Sequence, residues 1–351
     1  MSEFKVNNIT GRDGNSGPVV AGISTVSTSA FMVMPSGNTE IRGAGSGRGV
    51  MAGGAESLSS RYTISDRMQY ITISTLGDAI DFGDLSLARY YVRGTASSTR
   101  GVFAGGTSPG PVVTTRIDYV TISSQGGAND FGDMSISRNG IAAFGNQTRG
   151  VLSNGYTTPV NTQTFLMEFI NIATTGDASN FGDLSEAREI NAGFASPTRG
   201  IIAGGARGAT VTNLTAGIQF VTLATGGDSQ RFGELVRQRY RLPGASNSTR
   251  GLTFGGRYPG QTGVNEIDYI TIATEGNAQD FGDLTAAVHE SGALASSTRG
   301  IHFGGETPDP LSNIIEFVTI ATTGNATDFG DLTAAVGDDP AGCSDVHGGL
   351  G

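Results

Sequence analysis

Three histidines, one cysteine and a recurring set of carboxylates are the residues of this chain that could do chemistry, and their spacing decides which chemistry is open to them. His289, His302 and His347 show no metal-ligand spacing, and Cys343 has no histidine at the motif distance expected of a nucleophile. The carboxylates Asp84, Asp133, Asp183, Glu234, Asp283 and Asp331 each follow a Phe-Gly pair. Such groups either hold calcium together with neighbouring carbonyls, since calcium takes six to eight oxygens, or accept hydrogen bonds from a turn or pair with a repeated arginine. The second arrangement is the expectation. Arginine makes planar two-bond contacts with a carboxylate that lysine cannot, and Lys5 is the single lysine among 22 basic residues. Asp-Phe-Gly at Asp81, Asp130, Asp280 and Asp328 would hold a phosphoryl-transfer metal only beside a glycine-rich loop and a His-Arg-Asp sequence, and neither accompanies it. No cofactor, no metal site and no enzymatic activity are expected.

The carboxylates recur because the whole chain does. Arg-Gly appears at Arg48, Arg100, Arg149, Arg199, Arg250 and Arg299, at intervals of 49 to 52 residues. Phe-Gly-Asp/Glu keeps step with it from Phe82 to Phe329, and between them runs QYITIS from Gln69, DYVTIS from Asp118 and four further versions of the same text. Six copies of a unit near fifty residues therefore fill residues 41–351 without a linker, behind an N-terminal segment of residues 1–40. In YVTI the aromatic and threonine point one way and the valine and isoleucine the other, the period of a strand. A strand of the type RGVFAGG precedes it, a short DFGDL strand follows, and a small-residue segment such as GTASST leads into the next Arg-Gly. No stretch keeps a 3.6-residue apolar period. Four short strands per unit, repeated six times, predict an all-β fold, a six-bladed β-propeller with the Ala/Ser/Gly segments innermost, where room is least. Only five such segments lie between the six paired-glycine strands, so residues 341–349 (AGCSDVHGG) are expected to supply the sixth. Of the 55 glycines, 29 occupy repeated positions and are read as turn geometry written six times, with Asn154 replacing one paired glycine as the residue that best tolerates a positive φ.

The layout resembles the kelch repeat. In the second unit the paired glycines Gly105 and Gly106, Tyr119, Phe131 and Arg138 match that family's pattern, with Phe where the family usually carries Trp, so the fold is expected to be kelch-like. The resemblance implies fold and leaves function open, since propellers host unrelated activities. A second likeness is narrower. KVNNITGRDGNSGPVVAGISTVSTSAFMVMPSGNTEIRG (residues 5–43), RGVMAGG and repeats of the FVTIATTGNATDFGDLTAA type resemble virion structural proteins of marine tailed phages, especially cyanophages, as tail-fibre or particle-surface components. That resemblance implies a structural protein of a bacteriophage virion, assembled in the host cytoplasm and serving host attachment. Six-bladed sialidase-like hydrolases share the architecture, but their Ser-x-Asp-x-Gly-x-x-Trp motif needs tryptophan, and there is none. Copper oxidases on kelch scaffolds use histidines and a modified cysteine, which three scattered histidines do not reproduce.

The six copies also show which positions vary. If neighbouring strands are antiparallel, the connections after the second and fourth strands leave from one side, and these differ from copy to copy. Tyr90, Tyr91, Arg93, Tyr156, Arg207, Tyr240, Arg241, Arg257, Tyr258 and His289 fall there, and flat amphipathic Tyr and Arg side chains suit recognition of a host-surface glycan or receptor. The N-terminal segment, with its alternating residues 19–34, is expected to be an extended attachment arm that docks on another virion protein or on another subunit of a homo-oligomer. A net charge of −10 argues against nucleic acid, one cysteine excludes an internal disulfide, and no apolar run reaches the ~18 residues of a membrane span. The start of the sequence lacks the apolar stretch of a secretory signal. The competing readings are a kelch-like protein-interaction adaptor outside any virion and, third, a glycan-processing propeller enzyme.

Overall fold

Each repeat folds as the alternating pattern requires, into strands and no α-helix among the described residues. The computed structural model describes residues 47–58, 61–158, 162–207, 213–260, 263–307 and 311–350, all within one of the chain's two units, Asn38–Gly351. Residues 1–40, and with them the expected attachment arm, lie outside the described residues.

Six four-stranded antiparallel sheets carry the repeat. In the second, Arg93–Ala96 pairs with Arg100–Ala104, which pairs with Arg116–Thr121, which pairs with Asn129–Asp133. The third to sixth sheets repeat this order, small-residue strand first and Phe-Gly-Asp/Glu strand last. The first sheet is completed from the far end of the chain: Ala341–Ser344 lies against Arg48–Ala52 in the register Val50↔Cys343, which makes it the sixth small-residue strand.

Consecutive sheets are joined in the same way at every step, and the sixth is joined to the first. Six apolar clusters each combine two consecutive sheets, one bringing Phe103 and Val120 against Val50 and Phe82, another bringing Ile301 and Phe329 against Met51 and Ile71. In each sheet the aromatic of the third strand meets the Phe of the fourth edge to face, with ring centroids 5.9–6.3 Å apart. At the outer edge, the turn before each fourth strand donates backbone hydrogen bonds to the fourth strand of the preceding sheet. Gly126 N–H reaches Phe82 O at 2.8 Å, and Gly77 N–H reaches Phe329 O at 2.9 Å. These contacts satisfy groups that an edge strand would otherwise leave open to pairing with another chain.

The repeated arginines do something other than pair with the repeated carboxylates. Each Arg-Gly arginine lies over the aromatic ring of its own third strand, 4.3–4.7 Å from the centroid. Each also donates from Nη1 to a carbonyl of the next sheet: Arg48 to Ile122 O at 2.8 Å, and at the end of the series Arg299 to Ile73 O at 2.8 Å. A planar cation that stacks and donates sideways does both, so at the Arg-Gly positions arginine is kept over lysine for this reason rather than for pairing with the Phe-Gly carboxylates. The Phe-Gly carboxylate positions are held otherwise: Asp133 Oδ1 accepts the Thr115 hydroxyl at 2.7 Å, as expected of a turn contact, and the backbone N–H groups of Asp133 and Asp331 donate to Asp177 Oδ1 and Asp78 Oδ1, each at 3.0 Å.

Glycine needs a similar correction. The paired glycines do adopt left-handed backbone, and Asn154 shares it at φ 54°. The glycine after each repeated arginine does not. A Cβ on Gly200 would overlap the Phe144 ring of the preceding sheet, and one on Gly101 would press on Cys343 Sγ, so close approach between sheets is what excludes a side chain there. Two further departures concern lengths. The fourth strand of the fifth sheet runs on as Gln279–Val288, with Val288 paired to Val264, and several loops after the paired glycines form small sheets of their own, such as Arg138–Asn139 with Tyr156–Thr157 and Thr162–Gln163.

Candidate binding site

The connection from each sheet to the next is anchored before it reaches the surface. Arg89, Arg138, Arg188 and Arg239 are completely buried. Nη1 of Arg89 donates to Gly105 O at 2.8 Å and Arg116 O at 3.0 Å, and Nη2 meets Asp118 Oδ2 at 2.6 Å. Arg138 with Glu168 and Arg239 with Asp268 at 2.7 Å repeat the arrangement. Arg188 faces Gln219 in that place and takes Glu186 at 3.2 Å instead; burial pulls its guanidinium down to about 10. A buried ion pair is costly to break because one charge is then left in a poor solvent, so these arginines tie connection and loop together firmly.

One residue beyond the arginine, or beyond Val288 where that stands in its place, the connection bridges to the loop that follows the paired glycines of the next sheet: Tyr90 to Thr107, Asn139 to Tyr156, Glu189 to Ala206, Tyr240 to Arg257 and His289 to Glu306. The next residue takes left-handed backbone in every copy. Gly140 is joined there by Tyr91, Ile190, Arg241, Glu290 and Asp338, at φ 53–57°. These residues form a chain of hydrogen bonds of their own. Ile190 N–H donates to Gly140 O, Arg241 N–H to Ile190 O, Glu290 N–H to Arg241 O, Asp339 N–H to Glu290 O and Tyr91 N–H to Asp338 O, at 2.7–3.1 Å. A non-glycine residue there costs of order 1 kcal/mol, so the bonds hold the backbone in a conformation it would not choose alone.

The ten candidate residues do gather along this side, since consecutive strands are antiparallel and the two variable connections emerge together. Their display differs. Tyr90, Tyr91, Arg93, Tyr156, Arg207, Arg241, Arg257 and Tyr258 are half-buried, each with part of its surface accessible. Tyr240 and His289 are buried, at 4 % and 5 % exposure, because the bridges to Arg257 and Glu306 fold the loop back over them. Tyr240 packs with Ala206 and Leu214, and Tyr258 covers the same cluster. The rings of Tyr90 and Tyr91 meet at a tilt of 56°, with centroids 4.8 Å apart.

Polar partners join several of these residues across copies. Glu290 accepts the Tyr91 hydroxyl on Oε1 at 3.2 Å and pairs with Arg241 through the same oxygen, and Arg93 meets Asp339 at 2.9 Å. Burial, then the Glu306 and Asp339 charges, push the Asp338 carboxyl up to about 6. Burial also raises the Tyr91 hydroxyl and lowers the His289 imidazole. Glu290, Glu306, Asp338 and Asp339 escaped the sequence reading, which followed aromatic and basic side chains; position marks Glu290 and Asp338, each two residues after the Val that stands in the arginine's place, and Glu306, which directly follows the paired glycines.

Beneath this side, residues of all six innermost strands line a cavity of about 50 Å³, from Gly94 and Thr95 round to Cys343 and Ser344. That is room for a few waters rather than for a sugar. At its other end stands His347, half-buried, with Nε2 donating to Ala96 O at 2.8 Å and Nδ1 accepting the Gly349 N–H at 3.1 Å. A ligand of any size would have to meet the half-buried residues above rather than enter the cavity. No protein-family model matches the chain, and no curated protein is significantly similar to it.

Proposed function

We propose that the six sheets are the blades of a closed, kelch-like propeller, and that the molecule is a non-enzymatic binding protein of a tailed-phage particle, displayed on its tail or surface. The ring supports this reading at the level of contacts: every stitch between consecutive sheets has a counterpart between the sixth and the first, including Arg299 to Ile73 O and Gly77 N–H to Phe329 O. The observation that carries the binding role is the contrast between the copies. The stitching residues keep one chemistry six times, whereas the left-handed positions carry Tyr91, Gly140, Ile190, Arg241, Glu290 and Asp338 on an equally fixed backbone. A scaffold that holds backbone constant and varies side chains on one side is built for recognition. A host-surface glycan or receptor is the ligand class that half-buried Tyr and Arg suit, through stacking of flat faces and polar tips. The virion assignment rests on the likeness of the sequence text.

Mass spectrometry of purified particles tests the location, and binding of the purified chain to host cells tests the activity. Replacing Tyr156 and Arg257 together with serine should weaken host-cell binding about tenfold or more, with the melting temperature kept, since both are half-buried. Unaltered binding would move recognition to another part of the molecule.

A further inference from the structure

One copy breaks the chemistry of the others at the bridge between connection and loop. The bridged pairs are Tyr90 with Thr107, Asn139 with Tyr156, Glu189 with Ala206 and Tyr240 with Arg257, but in the sixth sheet they become His289 with Glu306. The residue after the histidine is Glu290, buried at 1 % exposure and held in left-handed backbone. The scaffold does not require these types, since five other copies manage without them.

The geometry brings the three together. His289 N–H donates to Glu306 O at 3.1 Å and Glu306 N–H returns to His289 O at 2.7 Å, which sets the two side chains beside each other on one face. One ligand atom from each of His289, Glu290 and Glu306 lies within 4.8 Å of the other two. His289 is 5 % exposed, and its Nδ1 has no hydrogen-bond partner while standing 3.9 Å from Glu306 Oε2. A buried imidazole nitrogen without a partner is unusual, because burying a polar atom unsatisfied costs of order 1–3 kcal/mol. Arg241 and the Tyr91 hydroxyl both engage Glu290 through Oε1, so Oε2 can serve as a ligand. Glu306 keeps 29 % of its side chain accessible, which gives an ion a way in.

We propose that His289, Glu290 and Glu306 form a site for one divalent transition-metal ion, zinc being the best match to one imidazole nitrogen and two carboxylate oxygens. Calcium and magnesium favour oxygen ligands alone and would leave the histidine unused. Ligands about 2.1 Å from a tetrahedral ion stand about 3.4 Å apart, so the side chains must draw in by about 1 Å, which rotation of the accessible Glu306 supplies. A water fills the fourth position.

The test uses the whole chain, stripped with a chelator, dialysed and titrated with zinc chloride by calorimetry and by thermal melting. One ion per chain is expected, and zinc at a hundredfold excess over its dissociation constant should raise Tm by about 4 °C. His289→Ala and, separately, Glu306→Gln should each abolish the shift; the second variant keeps the test open if the first fails to fold. A wild-type chain that melts alike with and without zinc, a shift that survives in either variant, or an equal shift with calcium overturns the site.

Discussion

Arg138 and Glu168 sit at 0 % and 2 % side-chain exposure, and what replaces such a pair elsewhere in the chain shows what it is for. Where the arginine becomes Val288, Glu316 takes His302 at 3.0 Å instead; where it becomes Val336, the acid has become Gln69. Where the acid is Gln219, Arg188 draws Glu186 from its own connection. In no sheet does the arginine or the acid of this position stand without compensation, as the cost of a lone buried charge demands. Arg138→Val should therefore cost about 3–5 kcal/mol in urea unfolding, because Glu168 is stranded. Adding Glu168→Gln should recover about half of that or more, since the first sheet already folds with Val336 and Gln69. A double variant no more stable than the single one would mean that the two carbonyl bonds from Arg138 to Asn154 O and Leu166 O, each 3.0 Å, are what matters.

At the scale of the elements, strands were legible because their two faces see different surroundings, and that leaves a period-two pattern in text such as QYITIS. The C-terminal strand was legible by counting, since one small-residue segment was missing. Contacts between sheets left a weaker trace. Gly101 and Gly200 read like the turn glycines, yet their backbone is ordinary and their smallness answers to Cys343 and Phe144 one sheet away. Nothing local distinguishes a glycine kept for φ from one kept for closeness. The left-handed positions were hidden for the opposite reason: Tyr91, Ile190, Arg241 and Glu290 are not residues that announce positive φ, and only the hydrogen-bond chain holds them there. Asn154 was readable because it replaces glycine with the residue that tolerates φ 54°. Gly200→Ala should thus lower stability by about 1–3 kcal/mol through overpacking, and less in a Phe144→Leu background, because the first sheet packs Gly49 under Leu294. Thermal melts of the three variants check this; an equal loss in both backgrounds would point to the backbone rather than the neighbour.

For the molecule as a whole, the C-terminal residues do two jobs within seven positions, completing the first sheet from Ala341 and closing the cavity at His347, and their titration makes the result depend on pH. Asp345 accepts the Arg48 N–H at 2.8 Å, yet burial raises its carboxyl to about 6. Between about pH 4 and 6 the folded chain then holds a proton there that the unfolded chain has lost, so this group's contribution falls as pH rises through that window. His347 works in the other direction. Its burial lowers the imidazole, and Nδ1 is already taken by the Gly349 N–H. The unfolded chain gains a proton near pH 6.5 that the folded one refuses, so stability is lost as pH falls below that value. The two contributions oppose each other on acidification from pH 7 to 5. Asp345→Asn should leave the histidine effect exposed and steepen the loss of stability over that range, while His347→Asn should make it shallower. Urea midpoints of the wild type and both variants, measured at pH 7.0, 6.0 and 5.0, decide the matter. Parallel profiles in all three proteins would show that the seal at this end of the cavity opens before either group titrates.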